Sequence, residues 1–175
     1  MIRDPAHAES AEAPLAFRPI GRIRTPFLSA AGTPIQAVYA HGVEGRVIVD
    51  PPYEAALADI EGFERIWLIY WLDRAAPFQP LVTPYRDTKQ HGLFATRSPC
   101  RPNPIGLSLV RLQGRIGPEL TIVDVDLLDN TPLLDIKPYV PEFDARPDSR
   151  AGWFENAGVD RQTADDRFHP DGTGR

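Results

Sequence analysis

His91-Gly92-Leu93-Phe94-Ala95-Thr96-Arg97-Ser98-Pro99-Cys100-Arg101-Pro102-Asn103-Pro104-Ile105-Gly106 sets two arginines, an asparagine and three prolines between apolar flanks. Pro99, Pro102 and Pro104 lack a backbone donor and hold φ near one value, so the stretch is neither a helix interior nor a central strand. It reads as a stiff polar loop, bracketed by Gly92 and Gly106, which permit tight turns or close approach of a ligand. A pre-ordered loop loses less entropy when it grips a ligand. Two readings stand side by side. One is a proline-rich structural loop; the other is the wall of a binding site, because two arginines and an asparagine are costly to bury for packing alone.

Outward from the loop, the chain reads as strands. Leu107 to Leu112 (LSLVRL) is strand-like, and Gly106–Gln113 and Glu119–Leu127 form two strands joined by a turn around Gly117-Pro118. Asp124 and Asp126 alternate with Val123, Val125 and Leu127, the period of a half-exposed strand. Upstream, Gly92–Thr96 is a short strand entering the loop, and residues 75–90 form a long loop with Pro77, Pro80 and Pro84. Arg65–Leu72 (RIWLIYWL) is rich in β-branched and aromatic residues and reads as a core strand, with Asp73-Arg74 at its mouth. Tyr53–Ile60 reads as the best helix, started by Asp50 or Pro51-Pro52 and ended by Gly62, with Ala55, Ala56, Leu57 and Ile60 on one face. Gly45–Val49 (GRVIV) and Phe17–Thr25 (FRPIGRIRT) are strands, and Gln36–Tyr39 is a short strand or extended segment. Residues 1–16 read as a disordered arm. After Val140 the composition turns to Pro, Asp, Arg and Gly; Trp153 and Phe154 are placed to dock this tail on the body or on a second subunit, and residues from about 158 onward look frayed.

Short strands, one helix and many Pro/Gly turns suggest a small, mostly β barrel or sandwich. No βαβ alternation, Gly-x-Gly-x-x-Gly or phosphate-loop pattern is present, which argues against a Rossmann or other common nucleotide fold. A chain of 175 residues with 42% hydrophobic content suits one domain with a sizeable core. The net charge of -5 argues against coating nucleic acid through bulk charge, while leaving room for a local patch at Arg97 and Arg101. Cys100 is the single cysteine, so no internal disulfide or cysteine-held zinc is possible, and a reducing, cytoplasmic setting fits. Met1–Pro14 lacks the apolar segment of a signal peptide, and no run is long enough to span a membrane.

The second polar cluster is Leu128–Tyr139 (LLDNTPLLDIKPY), with Asp129, Asn130, Thr131, Asp135, Lys137 and Tyr139. Asp129-Asn130-Thr131-Pro132 looks like a turn, in which Asp129 either closes its own backbone or grips the polar part of a ligand. Asp135 and Lys137 suit an ion pair at a strand end; Tyr139 is either core or aims its hydroxyl at a substrate. The four histidines are scattered and no metal site is expected. No serine sits in a nucleophile elbow, and Cys100 beside Arg101 has no obvious partner base. Chemistry by positioning is left, and alkyl transfer from an activated cofactor fits it.

His91–Leu109 and Leu127–Val140 closely resemble the TsaA-like family, also called the TrmO or YaeB family. Its motifs stand here as Gly92–Ser98, Arg101–Gly106, Asp129–Pro132 and Asp135–Tyr139, joined by Ile20–Pro26 and the stretch Leu57–Tyr70. The resemblance covers roughly residues 17–145, with 146–175 left as a C-terminal extension. It implies a small TsaA-like β-barrel with one or two short helices, not a Rossmann enzyme, that binds S-adenosyl-L-methionine as a homodimer with sites near the subunit interface. It also implies N6-methylation of N6-threonylcarbamoyladenosine at position 37 of tRNA. A methyltransferase of the same fold acting on a small molecule or another RNA, and a non-enzymatic cofactor-binding module, are the alternatives. By motif, cofactor contacts fall on Pro34, Ile35, Gln36, Asp73, Arg74, Arg97, Leu107, Asp129, Asn130, Thr131 and Pro132. Arg101, Asn103 and Lys137 are placed at the substrate. Asp129, Asp135, Tyr139 and Asp73 are the candidates to take the proton that leaves N6. Ile35 and Asp73-Arg74 differ from the familiar bacterial members, which have Arg and His-Gln there.

Overall fold

The alternation of apolar and polar side chains closes a barrel. The structure, a computed structural model, describes residues 16–171, so all but the last residue of the arm expected over 1–16 lies outside it. Six antiparallel strands carry the barrel: β1 (Gly21–Arg24), β2 (Glu44–Val49), β3 (Arg65–Trp71), β6 (Ile105–Ile116), β7 (Glu119–Val123) and β8 (Thr131–Pro138). Their order round the wall is β1-β2-β7-β6-β3-β8, with β8 pairing back to β1. Closure leaves no open edge among these six. A two-stranded ribbon, β4 (Leu81–Val82) with β5 (His91–Gly92), stands apart in the long β3–β6 connection.

Inside the wall lie Ile23, Val47, Val49, Ile66, Leu68, Val110, Leu120, Ile122 and Leu133, all buried. Each such aliphatic side chain contributes about 2 kcal/mol relative to an exposed one. A satellite cluster of Val82, Leu93, Cys100 and Phe168 sits under the β3–β6 connection.

Several local expectations change. The helix expected over Tyr53–Ile60 is a 3-10 run over Pro51–Leu57, which Ala58 ends with ψ 137 and Asp59 follows with φ 65. Only Leu57 of that run is buried, too little apolar surface to hold an α-helix against the wall. Ala37–Tyr39 is also a 3-10 turn rather than extended chain. Of the expected entry strand Gly92–Thr96 only Gly92 pairs, together with His91 before it; Leu93–Ala95 turns. β7 stops at Val123 because Asp124 takes φ 68. The polar cluster after Thr131 is itself a barrel strand, β8. One four-residue α-helix, α1 (Pro141–Asp144), follows it. The tail does not fray at 158: it pairs with the body as far as Phe168, which is buried.

Candidate functional site

Register places one end of the barrel at the chain's polar loops. Ile23 pairs with Thr131, Tyr70 with Leu133, Trp71 with Ile105 and Glu44 with Val123. The C-termini of β1, β3 and β7 therefore share an end with the N-termini of β2, β6 and β8. Three connections leave from that end: residues 25–43, 72–104 and 124–130. They carry Pro34, Ile35 and Gln36; Asp73, Arg74, Arg97, Arg101 and Asn103; and Asp129 and Asn130. Thr131 and Pro132 open β8 at the same end.

A polar triad floors this end, with Tyr70 and Ser108 buried and Asp126 half-buried. Ser108 faces inward from β6 and donates its hydroxyl to Asp126 Oδ1 at 2.6 Å. The Tyr70 hydroxyl lies 3.0 Å from Ser108 Oγ on the other side. The Tyr70 ring fits only because residue 106 has no side chain: a Cβ there would stand 2.0 Å from Tyr70 Cε2. Burial pushes the Asp126 carboxyl up to about 6, while the Ser108 hydroxyl, the Ala37 amide and the Arg97 charge pull it the other way. Burial also raises Tyr70, which keeps its proton.

Arg97 stands exposed above this floor. Its Nη1 donates to Gln36 Oε1 at 2.5 Å, and among the described residues it makes no ion pair. Gln36 Nε2 in turn donates to its neighbour's carbonyl, Ile35 O, at 2.6 Å. The amide therefore presents its oxygen to the guanidinium and links two loops of the site.

A second polar knot lies alongside. Arg74 Nη2 donates to Asp129 O at 2.8 Å and to Thr131 Oγ1 at 3.1 Å, and its Nε to Asp73 Oδ1 at 3.2 Å. Arg24 holds the Asp129 carboxylate at 2.8 and 3.2 Å, and the Thr25 amide adds a bond at 3.0 Å. The bond from Arg24 is the main cause that holds the Asp129 carboxyl below its ordinary range. Asn130 turns the chain with φ 63. Asp129 thus does close a turn, and its carboxylate is largely occupied in doing so.

The other expected residues fall elsewhere. Asp135 and Lys137 form an ion pair at 2.8 Å on the outer wall, part-way along β8. Tyr139 lies at the opposite end, its amide donating to Arg65 O at 3.1 Å and its ring edge-on to Trp67 at 6.1 Å. Arg101 donates back to Thr96 O at 3.0 Å and lies over Phe94, which stiffens its own loop. Asn103 is exposed at the loop tip. Leu107 points outward from β6, 46% exposed. Within one chain, then, Gln36, Arg74, Arg97, Asp73 and Asp129–Pro132 gather at one end, and Asp135, Lys137 and Tyr139 do not join them. Sequence reasoning passed over Asp126, Ser108 and Tyr70. The available signal was an aspartate between Val125 and Leu127, both of which enter the core.

These groups suit a zwitterionic, nucleoside-bearing ligand: a free guanidinium for a carboxylate, a carboxylate for a cationic centre, and amide and carbonyl groups for hydroxyls. Among the described residues no three metal-ligating side chains gather, and no helix is long and apolar enough to cross a membrane.

Residues 22–145 match the family described as the tRNA-methyltransferase O N-terminal domain. A protein of Pyrococcus abyssi, described as a probable S-adenosyl-L-methionine-binding protein, is 55% identical over 141 residues, which are 81% of this chain and 77% of that one. The tRNA (adenine(37)-N6)-methyltransferase of Escherichia coli is 34% identical over 151 residues, 81% of this chain and 64% of that one. The crystal structure of TrmO from Pseudomonas aeruginosa superposes with a TM-score of 0.68 at 37% identity, covering 80% of this chain and 62% of that one. The chain thus spans less than two thirds of the length of the last two, and 38% of a similar Archaeoglobus fulgidus protein.

Proposed function

The chain belongs to the tRNA-methyltransferase O N-terminal domain family, and from that membership we propose that it is an S-adenosylmethionine-dependent methyltransferase. Its proposed acceptor is N6 of N6-threonylcarbamoyladenosine at position 37 of tRNA, in the cytoplasm. Residues 17–145 form the catalytic domain in this reading and 146–175 an extension. The observation that carries it is an exposed Arg97 at the loop end of the barrel, held by Gln36 and without an ion pair among the described residues. A guanidinium not neutralised by the chain's own acids suits the carboxylate of a methionine moiety.

The bound cofactor supplies a methyl group activated on a sulfonium. The chain's part is positional. Arg97, held by Gln36, binds a carboxylate; Arg74 fixes the Asp129–Thr131 turn, whose backbone offers hydrogen bonds to ribose hydroxyls; Asp73 stands exposed beside it. Holding donor and acceptor in line removes most of the entropic barrier. The proton leaving N6 needs an acceptor, and Asp126 is better suited than the four carboxyl and phenol groups picked from sequence. Asp129 is drawn down by Arg24 and is a weak base. Asp135 and Tyr139 lie away from this end, and Asp73 is engaged with Arg74.

The same reading includes a homodimer. On the outer wall Trp67 pairs with Leu109, Ile69 with Leu107 and Trp71 with Ile105, an apolar ladder across β3 and β6. Ile105 is 36% and Leu107 46% exposed. A second copy seated on this ladder would cover it and bring Leu107 to the neighbouring site.

Labelled cofactor incubated with total RNA from cells lacking the protein tests the reading. Label recovered in a modified adenosine supports it; RNA left unlabelled while a small-molecule fraction is methylated contradicts it. The small-molecule reading draws on the net charge of -5 and on the pairing of Arg24 and Arg46 with acids. It predicts turnover that is insensitive to salt, whereas RNA as substrate gives a steep salt dependence.

A further inference from the structure

Residues beyond the matched domain run back across the site. The turn Gly152–Asn156 lays the Trp153 indole flat on the His91 imidazole, with centroids 4.4 Å apart and planes at 21°. Trp153 Nε1 donates to Ala95 O at 2.7 Å. Arg86 lies over Phe154 at 5.5 Å and pairs with Asp160 at 3.0 Å. The chain then runs antiparallel to the β1–β2 connection. Ile35 donates to Gln162 O at 2.9 Å, Gly32 to Ala164 O at 3.0 Å, and Ala164 back to Thr33 O at 2.7 Å. Finally Phe168 enters the satellite cluster, and Ala76 donates to its carbonyl at 3.0 Å.

One segment therefore grips both connections that supply Gln36 and Arg97. It holds Ile35 by the backbone, one residue before Gln36. It holds the β3–β6 connection at Ala76, His91 and Ala95, two residues before Arg97. We infer that residues 152–168 are a positioning strap for the site: the tail's backbone fixes Ile35, Ile35 fixes Gln36, and Gln36 fixes the Arg97 guanidinium for a ligand carboxylate. The inference rests on the cofactor reading above and adds the part of the chain that lies outside the matched family domain. A fixed guanidinium loses less freedom on binding, so the strap raises affinity rather than the rate of the chemical step.

Ala164→Pro is the informative variant, because it removes the donor to Thr33 O and no buried side chain. Ala164→Gly, which keeps the N–H, is its control, and Trp153→Ala releases the strap at its other end. Amide exchange at Ile35 and Gly32, with Leu68 as the barrel reference, reads the loop directly. Titration with S-adenosylmethionine and the split between its KM and kcat read the consequence. In Ala164→Pro and Trp153→Ala, exchange at Ile35 and Gly32 quickens while Leu68 is unchanged. The Kd and KM for the cofactor rise about tenfold and kcat at saturation stays within about twofold; Ala164→Gly behaves as the parent chain. Unchanged exchange at Ile35 overturns the strap, and so does quickened exchange with unaltered affinity. A parent chain that takes up no cofactor overturns instead the functional reading, since exchange at Ile35 still reports on the strap alone.

Discussion

Asp126 and Asp129 lie three residues apart on one connection, and their carboxyls are pushed in opposite directions. Asp126 is short of water and has one hydroxyl, two amides and a nearby guanidinium to offset that. Asp129 has the Arg24 fork and the Thr25 amide. A base works best when its pKa sits near the operating pH, so the two predict different mutant behaviour. Asp126→Asn is expected to lower methyl transfer by about a hundredfold or more while cofactor affinity changes little. In the parent chain the rate should rise with pH through about 6, as the carboxyl loses its proton. The stability effect has the opposite sign. The folded chain binds this proton more tightly than the unfolded one, so stability falls as pH rises from the ordinary carboxylate range to about 6. The loss is on the order of 3 kcal/mol, and thermal melts of Asp126→Asn should lack it. Equal turnover in both chains would remove Asp126 from the reaction. Beyond the place of Asp126 between Val125 and Leu127, none of this was legible in the sequence. The ion pair of Asp129 spans 105 residues and the Asp126–Ser108 bond 18, so each partner became a partner only on closure of the barrel.

The strands explain why one glycine is needed at a place where φ is ordinary. Gly106, the second residue of β6, faces inward, and the Tyr70 ring of β3 fills the space a side chain would take, 2.0 to 2.7 Å from an added Cβ. Gly106→Ala must expel the ring, and with it the Tyr70–Ser108 bond. We expect a loss of about 2–4 kcal/mol in chemical denaturation; a loss below about 0.5 kcal/mol would mean that the ring shifts at little cost. Alternation made most of the wall legible: β2, β3 and β6 lie where Val, Ile, Leu and Trp recur at every second position. It failed where other rules prevailed. β8 carries Asp135 and Lys137 on its outer side, so it read as a polar cluster rather than as a strand. Pro51-Pro52 suited a helix start, yet with only Leu57 reaching the core the run tightened into 3-10 turns. The positive φ of Asp124 ended β7 inside a pattern that promised four more residues.

At the scale of the molecule, two features join the site to its surroundings: the apolar ladder on the outer wall and the strap across the loops. If the ladder is covered by a second copy, Leu107→Asp places a charge in the centre of that contact. Sedimentation should then show monomer where the parent chain sediments as dimer; a parent chain that is itself monomeric at micromolar concentration would contradict the assembly. The loop end of the barrel was legible as a candidate site because the motif residues Gln36, Arg97 and Asp129 sit on different connections that register brings to one end. The outlying Asp135 and Lys137 share β8 with Thr131 and Pro132 but lie further along its outer side, and Tyr139 follows its far end. The claim on which the rest depends is that this end binds S-adenosylmethionine, and calorimetric titration of the folded chain tests it most directly. The account predicts saturable uptake by the parent chain, weakened about tenfold or more in Arg97→Ala, with the thermal unfolding of that variant unchanged. No uptake by the folded parent chain, or equal affinity in Arg97→Ala, would contradict it.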